Sequence, residues 1–214
     1  MLNDEDSIIF RSGIYRILAA AFSAPKEDLG GLYDALREAH ATLQSPKPPL
    51  EVTRASEDPK LSSLAKEHLR LFVGPGHIPC PPYEAVHRKD RPDFEKGLVM
   101  GPSTAEVRRA YLAAGLDISK TYTDLPDHIA VEMEFMHFLC AEELKFIEQR
   151  DLAESAIRRK MQQEFLRLHL KPWVEAFADC VLNSTGSSFY KEAASLLKVF
   201  VGRESESLLE SEPE

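Results

Sequence analysis

The sequence predicts an all-α fold: a single globular helical domain of about seven or more helices, in two packed halves around a central buried helix at 126–148. Apolar residues recur at helical spacing along almost the whole chain, and only 10 of the 214 residues are glycine. A hydrophobic fraction of 43% is sufficient for one large core. We therefore divide the domain, which spans 1–214, into an N-terminal half at 1–115, a hinge at 116–125, a C-terminal half at 126–202 and an acidic tail at 203–214.

The N-terminal half opens with two helices. The first is predicted from Asp6 or Ser7 to Ser23, and Pro25 ends it. A second helix follows at once, and the Pro-rich stretch 44–58 is then predicted to be a surface connection.

A third helix and a long irregular segment follow. Asp58 and Pro59 predict the start of the helix, because Asp is a favoured N-cap and Pro is tolerated in the first turn. Segment 73–102 holds too many Pro and Gly residues for regular helix, and a loop of this length in a helical domain is typical of a functional segment. The apolar residues predicted to face inward from the third helix are Leu61, Leu64, Ala65, Leu69, Leu71 and Phe72.

Start and stop signals place the remaining helices. Ser103 to Glu106 has the capping-box pattern and opens a helix that Gly115 ends. Asp151 begins the helix after the central one, and Pro172 is expected to kink or split that helix. Gly202 can cap the last helix, and we expect the acidic tail beyond it to fray.

The central helix carries two apolar faces, so it must be sandwiched between other elements. Pro126, Asp127 and His128 form its entrance, where Asp127 complements the exposed amide groups and the positive end of the helix dipole. The same field is expected to disfavour protonation of His128. One apolar face holds Ile129, Met133, Met136, Cys140, Leu144 and Ile147, and the other holds Val131, Phe135, Phe138, Leu139 and Phe146. Two polar strips separate these faces. One strip holds Glu132 and Glu143, and the other holds Glu134, His137, Lys145 and Glu148.

Charge and composition exclude several function classes. A formal net charge of -9 argues against binding to nucleic acid, which needs clustered Lys and Arg. It is compatible with a basic peptide partner, although a solvated acidic surface explains the same charge. We find no basic segment of a secretory signal and no apolar run of the roughly 20 residues that a spanning helix needs. We expect a cytoplasmic protein without direct membrane insertion.

The cysteines predict a reducing compartment. Cys80, Cys140 and Cys180 are far apart and form no C-x-x-C pair. We interpret them as reduced thiols, with Cys140 buried, and predict neither a disulfide framework nor a zinc site.

One motif has the spacing of an enzyme site. Glu134 and His137 form an E-x-x-H on a helix, and di-iron bundles use two such motifs with further carboxylates. The second match, Glu84 with His87, falls in the Pro-rich segment, so a polar strip on a sandwiched helix is the preferred interpretation. His128 and Glu132 lie one turn apart, but His137 lies on a different face of the helix. A metal site at these residues would therefore lack a third convergent ligand. We predict no metal, no cofactor and no catalytic residue, and a binding protein by exclusion.

Two longer segments carry a more specific signal. Residues 67–76, EHLRLFVGPG, are followed by Pro79, Pro81-Pro82-Tyr83-Glu84 and, later, by 126–136, PDHIAVEMEFM. Together they resemble the two signatures of the TorD/DmsD/NarJ chaperones, and the order, separation and chain length agree over nearly the whole sequence. His68 and Tyr83 depart from that pattern, since relatives often carry a large aromatic residue and Trp there.

The resemblance implies a function. These chaperones bind the N-terminal leader, twin-arginine type or equivalent, of a molybdenum-cofactor oxidoreductase. They hold the apoenzyme in the cytoplasm until the cofactor is inserted. The expected partners are therefore a leader peptide and the apo form of a molybdoenzyme catalytic subunit. We expect a monomer or a homodimer that exchanges halves through the hinge.

The resemblance also implies site residues. The expected peptide-binding set combines a groove for the apolar part of the leader with carboxylates that face its arginines. Leu71 and Phe72 are equally consistent with plain core, and Asp127 with a helix cap, a ligand contact or both. A di-metal enzyme on Glu134 and His137, or an adaptor for a folded partner, are the alternatives. The set is Leu71, Phe72, Pro82, Tyr83, Glu84, Asp127, His128 and Glu132.

Overall fold

The computed structural model describes residues 4–26, 29–44, 60–92, 97, 100–117 and 124–209. Within those ranges the chain is helical, and the one β-type pairing is an isolated bridge between Tyr83 and His128. The α-helices are α1 (Asp4–Phe22), α2 (Leu29–Gln44), α3 (Leu61–His68), α4 (Glu84–His87), α5 (Pro102–Ala113), α6 (Ile129–Glu148), α7 (Leu152–Phe165), α8 (Val174–Ser184) and α9 (Ser188–Leu209). The predicted all-α fold is confirmed.

The central helix α6 packs most extensively against α1 on one side and α7 on the other. Ile129, Met133 and Met136 on its first face and Phe135 and Leu139 on its second are buried, as the two-faced pattern predicts. Burial of both faces fixes α6 in the middle of the core, so the polar side chains on its edges are held in place by their neighbours.

Two short π-helical turns interrupt the longer helices. One, π1 (Leu69–Val73), continues α3, and the other, π2 (Leu166–Leu170), continues α7. Each inserts one extra residue per turn, which rotates everything after it relative to a regular helix. The apolar pattern assumed an uninterrupted helix, and its inward assignment of Leu69 is wrong: Leu69 is half exposed while Leu71 and Phe72 are buried.

The predicted boundaries are partly right. Asp151 caps α7 by accepting a hydrogen bond from the Glu154 amide, and the positive φ of Gly115 ends α5 as expected. The predicted capping box is wrong, since α5 begins at Pro102 and Ser103 is already inside its first turn. The predicted start at Asp58 and Pro59, residues 118–123 of the predicted hinge and residues 210–214 of the tail lie outside the described residues.

The C-terminal helix continues through Gly202, where the sequence predicts its end. α9 extends to Leu209, and Glu204 is buried although it lies in the predicted acidic tail. The reason is a polar network. Arg11 on α1 donates from Nε to Glu204 Oε2 over 2.8 Å and from Nη2 to Gln162 Oε1 over 2.8 Å. A buried ion pair with further hydrogen bonds keeps this last stretch helical.

The cysteines also differ from the prediction. Cys80 and Cys180 form a disulfide with their Cα atoms 5.8 Å apart, while Cys140 is free and buried. The prediction of three reduced thiols is therefore wrong for two of them. A separation of 100 residues in sequence gave no sign that the Pro-rich segment folds back onto α8, which brings the two side chains together.

Candidate functional site

The two family-like segments meet where the Pro-rich loop crosses the start of α6. The Ile129 amide donates to the Pro82 carbonyl over 2.9 Å, and the Glu84 amide donates to the Asp127 carbonyl over 2.9 Å. These two backbone hydrogen bonds flank the bridge between Tyr83 and His128. The two stretches therefore meet, as a shared site requires, but Asp127 and His128 are buried there and do not lie on an open surface.

His128, rather than Asp127, caps the central helix. Its Nδ1 atom accepts a hydrogen bond from the Ala130 amide over 3.1 Å. Burial lowers the pKa of His128, and the nearby Asp124 carboxylate opposes that shift. A neutral imidazole is the form that can accept this bond, so the expected resistance of His128 to protonation is supported, with burial as the main cause.

Asp127 caps a different helix. Its Oδ2 atom accepts from the Ala85 amide over 3.2 Å, at the N-terminus of the short α4. The residue is completely buried, and burial raises the pKa of its carboxyl group while the Ala85 amide opposes the shift. The prediction that Asp127 serves the first turn of α6 is wrong, because the bridge turns the side chain toward the loop.

Glu84 is held by an arginine and a histidine. Its Oε1 atom accepts from Arg88 Nη1 over 2.6 Å, and its Oε2 atom lies 3.0 Å from His169 Nδ1 on π2. All three side chains are buried. Glu84 and Arg88 are four residues apart, a spacing that sequence could have flagged, but nothing in the sequence pointed to His169.

Glu132 reaches the same place from α6. Its Oε2 atom accepts from the indole Nε1 of Trp173 over 3.3 Å, and the side chain is completely buried. Burial first, and then the carboxyl groups of Glu84 and Asp127, raise the pKa of Glu132 well above its usual range. Burial and the neighbouring carboxyl groups therefore favour the protonated form of Glu132.

These residues form one unit, the acidic cluster, made of Glu84, Asp127 and Glu132 with Arg88 and His169. Three buried carboxyl groups face one arginine and one histidine, so acid exceeds base. Glu132 Oε1 and Asp127 Oδ1 are buried and make no hydrogen bond of ordinary geometry, although the Glu84 carboxyl and the Thr104 hydroxyl are near enough to shift the pKa of Glu132 and of Asp127, respectively. Buried carboxyl oxygens with incomplete hydrogen bonding are rare in folded proteins and are candidates for contact with a ligand donor.

Two half-buried residues, Tyr83 and Asp124, lie next to His128 beside the acidic cluster, and we call this pair the mouth of the cluster. The Tyr83 hydroxyl donates to Asp124 Oδ1 over 2.7 Å, and Asp124 Oδ2 lies 3.8 Å from His128 Nε2. Tyr83 and Asp124 are both half-buried. Asp124 was not predicted as a site residue, although its position four residues before His128 is visible in the sequence.

The other predicted groove residues have a different role. Leu71 is fully buried, and Phe72 packs edge-to-face against His68 and Phe22 in the core. The expectation that these two side chains wall an open groove is therefore wrong, and their burial agrees with the apolar spacing of the third helix. Pro82 is also buried, and it contributes its backbone carbonyl to the bridge.

The E-x-x-H motif does not assemble with other ligands. Glu134 is exposed, and His137 Nδ1 lies 2.8 Å from the Ser12 hydroxyl on α1. The second E-x-x-H match, Glu84 with His87, has other partners. Glu84 accepts a hydrogen bond from Arg88, and the His87 ring lies 2.7 Å from the Pro81 carbonyl. In the described part of the chain, no three His, Cys, Asp or Glu side chains are grouped as metal ligands. No helix there has the length and apolar character that crossing a bilayer requires.

Comparison with known proteins agrees with this geometry. The family model of the nitrate reductase delta subunit matches residues 27–179. The perchlorate reductase assembly chaperone of Dechloromonas aromatica is 29% identical to this chain, over 97% of it and 96% of the relative. Chaperone protein TorD of Shewanella loihica is 23% identical over 92% of each chain. The selenate reductase assembly chaperone of Thauera selenatis is 29% identical over 58% of this chain and 61% of its own.

A solved structure supports the fold. A protein of Archaeoglobus fulgidus assigned to redox enzyme maturation aligns with a TM-score of 0.50 and 23% identity, over 89% of this chain and 93% of that one. The all-helical architecture, the family match and the relatives named as reductase chaperones define the class, a helical chaperone of the redox-enzyme maturation type. The chain belongs to the nitrate reductase delta subunit family, and its predicted membership of the TorD/DmsD/NarJ chaperones is confirmed.

Proposed function

We propose that this chain binds the N-terminal leader, twin-arginine type or equivalent, of a molybdenum-cofactor oxidoreductase. In this proposal it works in the cytoplasm, holds the apoenzyme until the cofactor is inserted, and performs no catalysis itself. The observation that carries the proposal is the acidic cluster, in which three buried carboxyl groups lie together and Asp127 and Glu132 each keep one oxygen without a hydrogen bond of ordinary geometry. The relatives named as assembly chaperones of perchlorate and selenate reductases support a reductase as the client.

Arginine is the ligand that this cluster suits. A guanidinium group is planar, stays charged and offers several N–H donors in a fixed geometry that matches carboxylate oxygens. An arriving positive charge would also favour loss of the proton from Glu132, because an opposite charge nearby lowers the pKa of a carboxyl group. Binding would then release a proton, which gives the interaction a measurable pH dependence.

Access to the buried carboxyl groups requires movement of the loop that covers them. Asp124 and Tyr83 at the mouth are the first groups that an approaching arginine meets. The loop is held over the cluster by the two backbone bonds of the bridge and by the Tyr83 hydroxyl. Breaking these three hydrogen bonds requires a few kcal/mol, of the order that a charge-assisted contact returns.

The test is isothermal titration calorimetry with synthetic leader peptides. The panel contains the N-terminal 40 or so residues of each molybdoenzyme catalytic subunit in the genome that carries this chain. Asp127→Asn and Glu132→Gln keep the shape of each side chain and remove its ability to carry a negative charge. Each is expected to weaken the binding of one leader by about 10-fold or more, as loss of a buried charged hydrogen bond does. Replacement of the leader arginines by glutamine should have a comparable effect.

Glu148→Gln is the matched control, because Glu148 is an exposed carboxylate on the same helix. It should leave the affinity within about twofold. If no leader binds, or if a leader binds equally well to wild type, Asp127→Asn and Glu132→Gln, the proposal is wrong. The oligomeric prediction, a monomer or a dimer with exchanged halves, is decided in the same samples by light scattering.

A further inference from the structure

A disulfide fastens the Pro-rich loop to the body of the protein beside the acidic cluster. Cys80 lies in the loop, three residues before Tyr83, and its partner Cys180 lies on α8. Their Cα atoms are 5.8 Å apart, which is within the usual range for bonded cysteines. The bond therefore connects the loop that covers the cluster to one of the long helices.

The α8 end of this bond is held in the core. Phe177 and Val181, which lie on either side of Cys180 in the sequence, are fully buried, and α8 packs against α9. Protein interiors are close-packed, so a helix buried in this way does not shift without disturbing its neighbours. While Cys80 is bonded to α8, its position is therefore fixed by the core.

Two prolines connect this anchor to the residues over the cluster. Pro81 and Pro82 are the residues between Cys80 and Tyr83, and each proline ring fixes its own φ and restricts the residue before it. The connection is short and stiff, so Tyr83 cannot move away from α6 unless Cys80 moves with it. In the oxidised protein the disulfide therefore adds a covalent restraint to the hydrogen bonds that keep the loop closed.

Reduction would leave weaker contacts at this end of the loop. The Cys80 amide donates to the Leu71 carbonyl over 3.0 Å. Cys80 Sγ lies 3.4 Å from the Ser184 hydroxyl, so its thiol would have an acceptor. Cys180 Sγ lies 3.2 Å from the Pro79 carbonyl, which gives the second thiol an acceptor as well. Thiols are weak donors, so the reduced form is satisfied but no longer holds the loop firmly.

The disulfide can be reached by a reductant from one side. Cys80 is fully buried, whereas Cys180 is half-buried. Thiol–disulfide exchange depends on access to the sulfur under attack, so Cys180 is the sulfur that a reductant meets first. Disulfides of cytoplasmic proteins are usually transient or redox-sensing, and the proposed function puts this chain in that compartment.

We propose that Cys80 and Cys180 form a redox switch that controls access of the client leader to the acidic cluster. The disulfide keeps the Pro-rich loop closed over the cluster, and the dithiol form allows the loop to open. The inference rests on the proposed function and deepens it by adding regulation of the same site. Acceptance of a client would then be coupled to reducing conditions.

The switch works by ordinary thiol–disulfide exchange. One thiolate of a dithiol reductant attacks Cys180 Sγ, forms a mixed disulfide there and displaces Cys80 as a thiolate, which takes up a proton. The second thiolate of the reductant displaces Cys180 Sγ, which also takes up a proton, and the reductant leaves as a disulfide. Two electrons pass to the protein. Glutathione disulfide reverses the reaction and leaves as two molecules of glutathione.

Amide hydrogen exchange measures the opening of the loop without a client. The Glu84 and Ile129 amides make the two backbone bonds that flank the bridge, and the Ser155 amide, bonded to the Asp151 carbonyl, is a matched amide on α7. The full chain is oxidised with glutathione disulfide or reduced with dithiothreitol, and alkylation followed by mass spectrometry verifies its thiol count. We expect reduction to speed exchange at Glu84 and Ile129 about 10-fold or more, and at Ser155 by less than about twofold.

Leader affinity measures the consequence, by fluorescence anisotropy with the same leader panel. Apparent affinity falls with the fraction of molecules that is open, so reduced wild type should bind a leader about 10-fold or more tightly than oxidised wild type. Cys180→Ser, at a half-buried position, should match the reduced form under both conditions. Cys140→Ala is the control, because it removes the free thiol and keeps the pair, and it should retain the full response. Circular dichroism verifies the folding of both variants.

The outcomes separate this inference from the proposed function. Equal exchange and equal leader affinity in oxidised and reduced wild type would overturn the inference and leave the proposed function standing. A pair that stays fully oxidised, or fully reduced, in every mixture of glutathione and its disulfide would also overturn it, because such a pair cannot switch. Tighter binding by the oxidised form would do the same, since the disulfide would then order the site. Failure of every leader to bind either form would instead reject the proposed function.

Discussion

Two buried polar groups in this protein differ in how completely their charges are paired. The first, the α1–α9 network, joins Arg11, Glu204 and Gln162, and continues to Glu143 and Arg159. Gln162 Nε2 donates to Glu143 Oε2 over 2.7 Å, and Arg159 Nε donates to Glu143 Oε1 over 2.8 Å. Both carboxylates of the network have arginine partners. The second group is the acidic cluster, where carboxyl groups outnumber bases and two oxygens make no hydrogen bond of ordinary geometry.

The difference separates structure from function. A buried network whose members are all hydrogen-bonded needs nothing from outside, and it holds α1, α6, α7 and α9 together. A buried cluster with excess acid is unfavourable by itself, and such clusters persist where a ligand completes them. Two groups with similar burial and similar residue types can therefore have different roles, one structural and one in ligand binding. Whether each carboxyl oxygen has a hydrogen-bond partner distinguishes the two roles.

The largest effect is expected from breaking the paired network. Arg11→Met would leave the Glu204 carboxylate buried beside Tyr15 and without its cation. Loss of one partner from a buried ion pair lowers the free energy of unfolding by about 3–5 kcal/mol. Urea denaturation at pH 7 measures the change. Arg109→Met, on the exposed surface of α5, should stay within about 0.5 kcal/mol, and a loss below about 1 kcal/mol for Arg11→Met would contradict the comparison.

The same substitution in the two groups should change stability in opposite directions. Glu143→Gln weakens the bond with Arg159 and is expected to lower the free energy of unfolding by about 1–3 kcal/mol at pH 8. Glu132→Gln is expected to raise it, because the folded protein keeps Glu132 protonated while the unfolded chain releases that proton above the ordinary pKa of 4.5. The wild type therefore loses stability as the pH rises through this window, by up to about 1.4 kcal/mol per pH unit.

Urea denaturation between pH 5 and 8 tests this pair. The difference between Glu132→Gln and wild type should grow with pH, whereas Glu143→Gln should stay below wild type throughout. The charged and titratable groups that face Glu132 are Glu84, Asp127, Arg88 and His169, and they are unchanged in both variants. A Glu132→Gln protein that is less stable than wild type at pH 8 would mean that the cluster is as well paired as the network.

A smaller effect is expected at His68, next to the mouth of the cluster. Burial, aided by His128, lowers the pKa of His68 from 6.5 to about 4, while Asp124 opposes the shift. The unfolded chain binds this proton first, so acid lowers the stability of the folded state between those two pH values. His68→Phe removes this effect and should gain about 1 kcal/mol relative to wild type on going from pH 7.5 to pH 5.5.

Thermal denaturation at the two pH values provides the measurement. The hydrogen bond to the Tyr190 hydroxyl, 3.2 Å from His68 Nδ1, is lost at both, so it cancels in the comparison. An equal acid sensitivity in wild type and His68→Phe would show that His68 is protonated in the folded protein.

The sequence predicts the helices better than it predicts the polar contacts. Apolar spacing identified α6 and both of its faces, and the local signals at Asp151 and Gly115 were sufficient to place helix ends. Burial of Glu204 could not be predicted, because its partner Arg11 lies 193 residues away. The periodicity of apolar residues identifies the polar positions of a helix but not the side chains that those positions contact.

The prediction of the candidate site was incomplete for the same reason. The family-like segments correctly brought Tyr83 next to His128, and sequence included Glu84, Asp127 and Glu132 in one set. It missed Asp124, His169 and Trp173, which complete the cluster from elsewhere in the chain. The resemblance misplaced Leu71 and Phe72 in an open groove, whereas apolar spacing had correctly turned both side chains inward.

The two π turns have a consequence for how this site could diversify. His169 lies in π2, and the Leu71 carbonyl of π1 accepts from the Cys80 amide at the base of the Pro-rich loop. A π turn is equivalent to a single-residue insertion in an α-helix, and deleting that residue swings all later side chains around the axis by about 100°. A one-codon insertion or deletion in the helix that contains π2 would therefore change the side chain that contacts Glu84. The same event in the helix that contains π1 would change where the loop is anchored. The rest of the core would be retained in both cases.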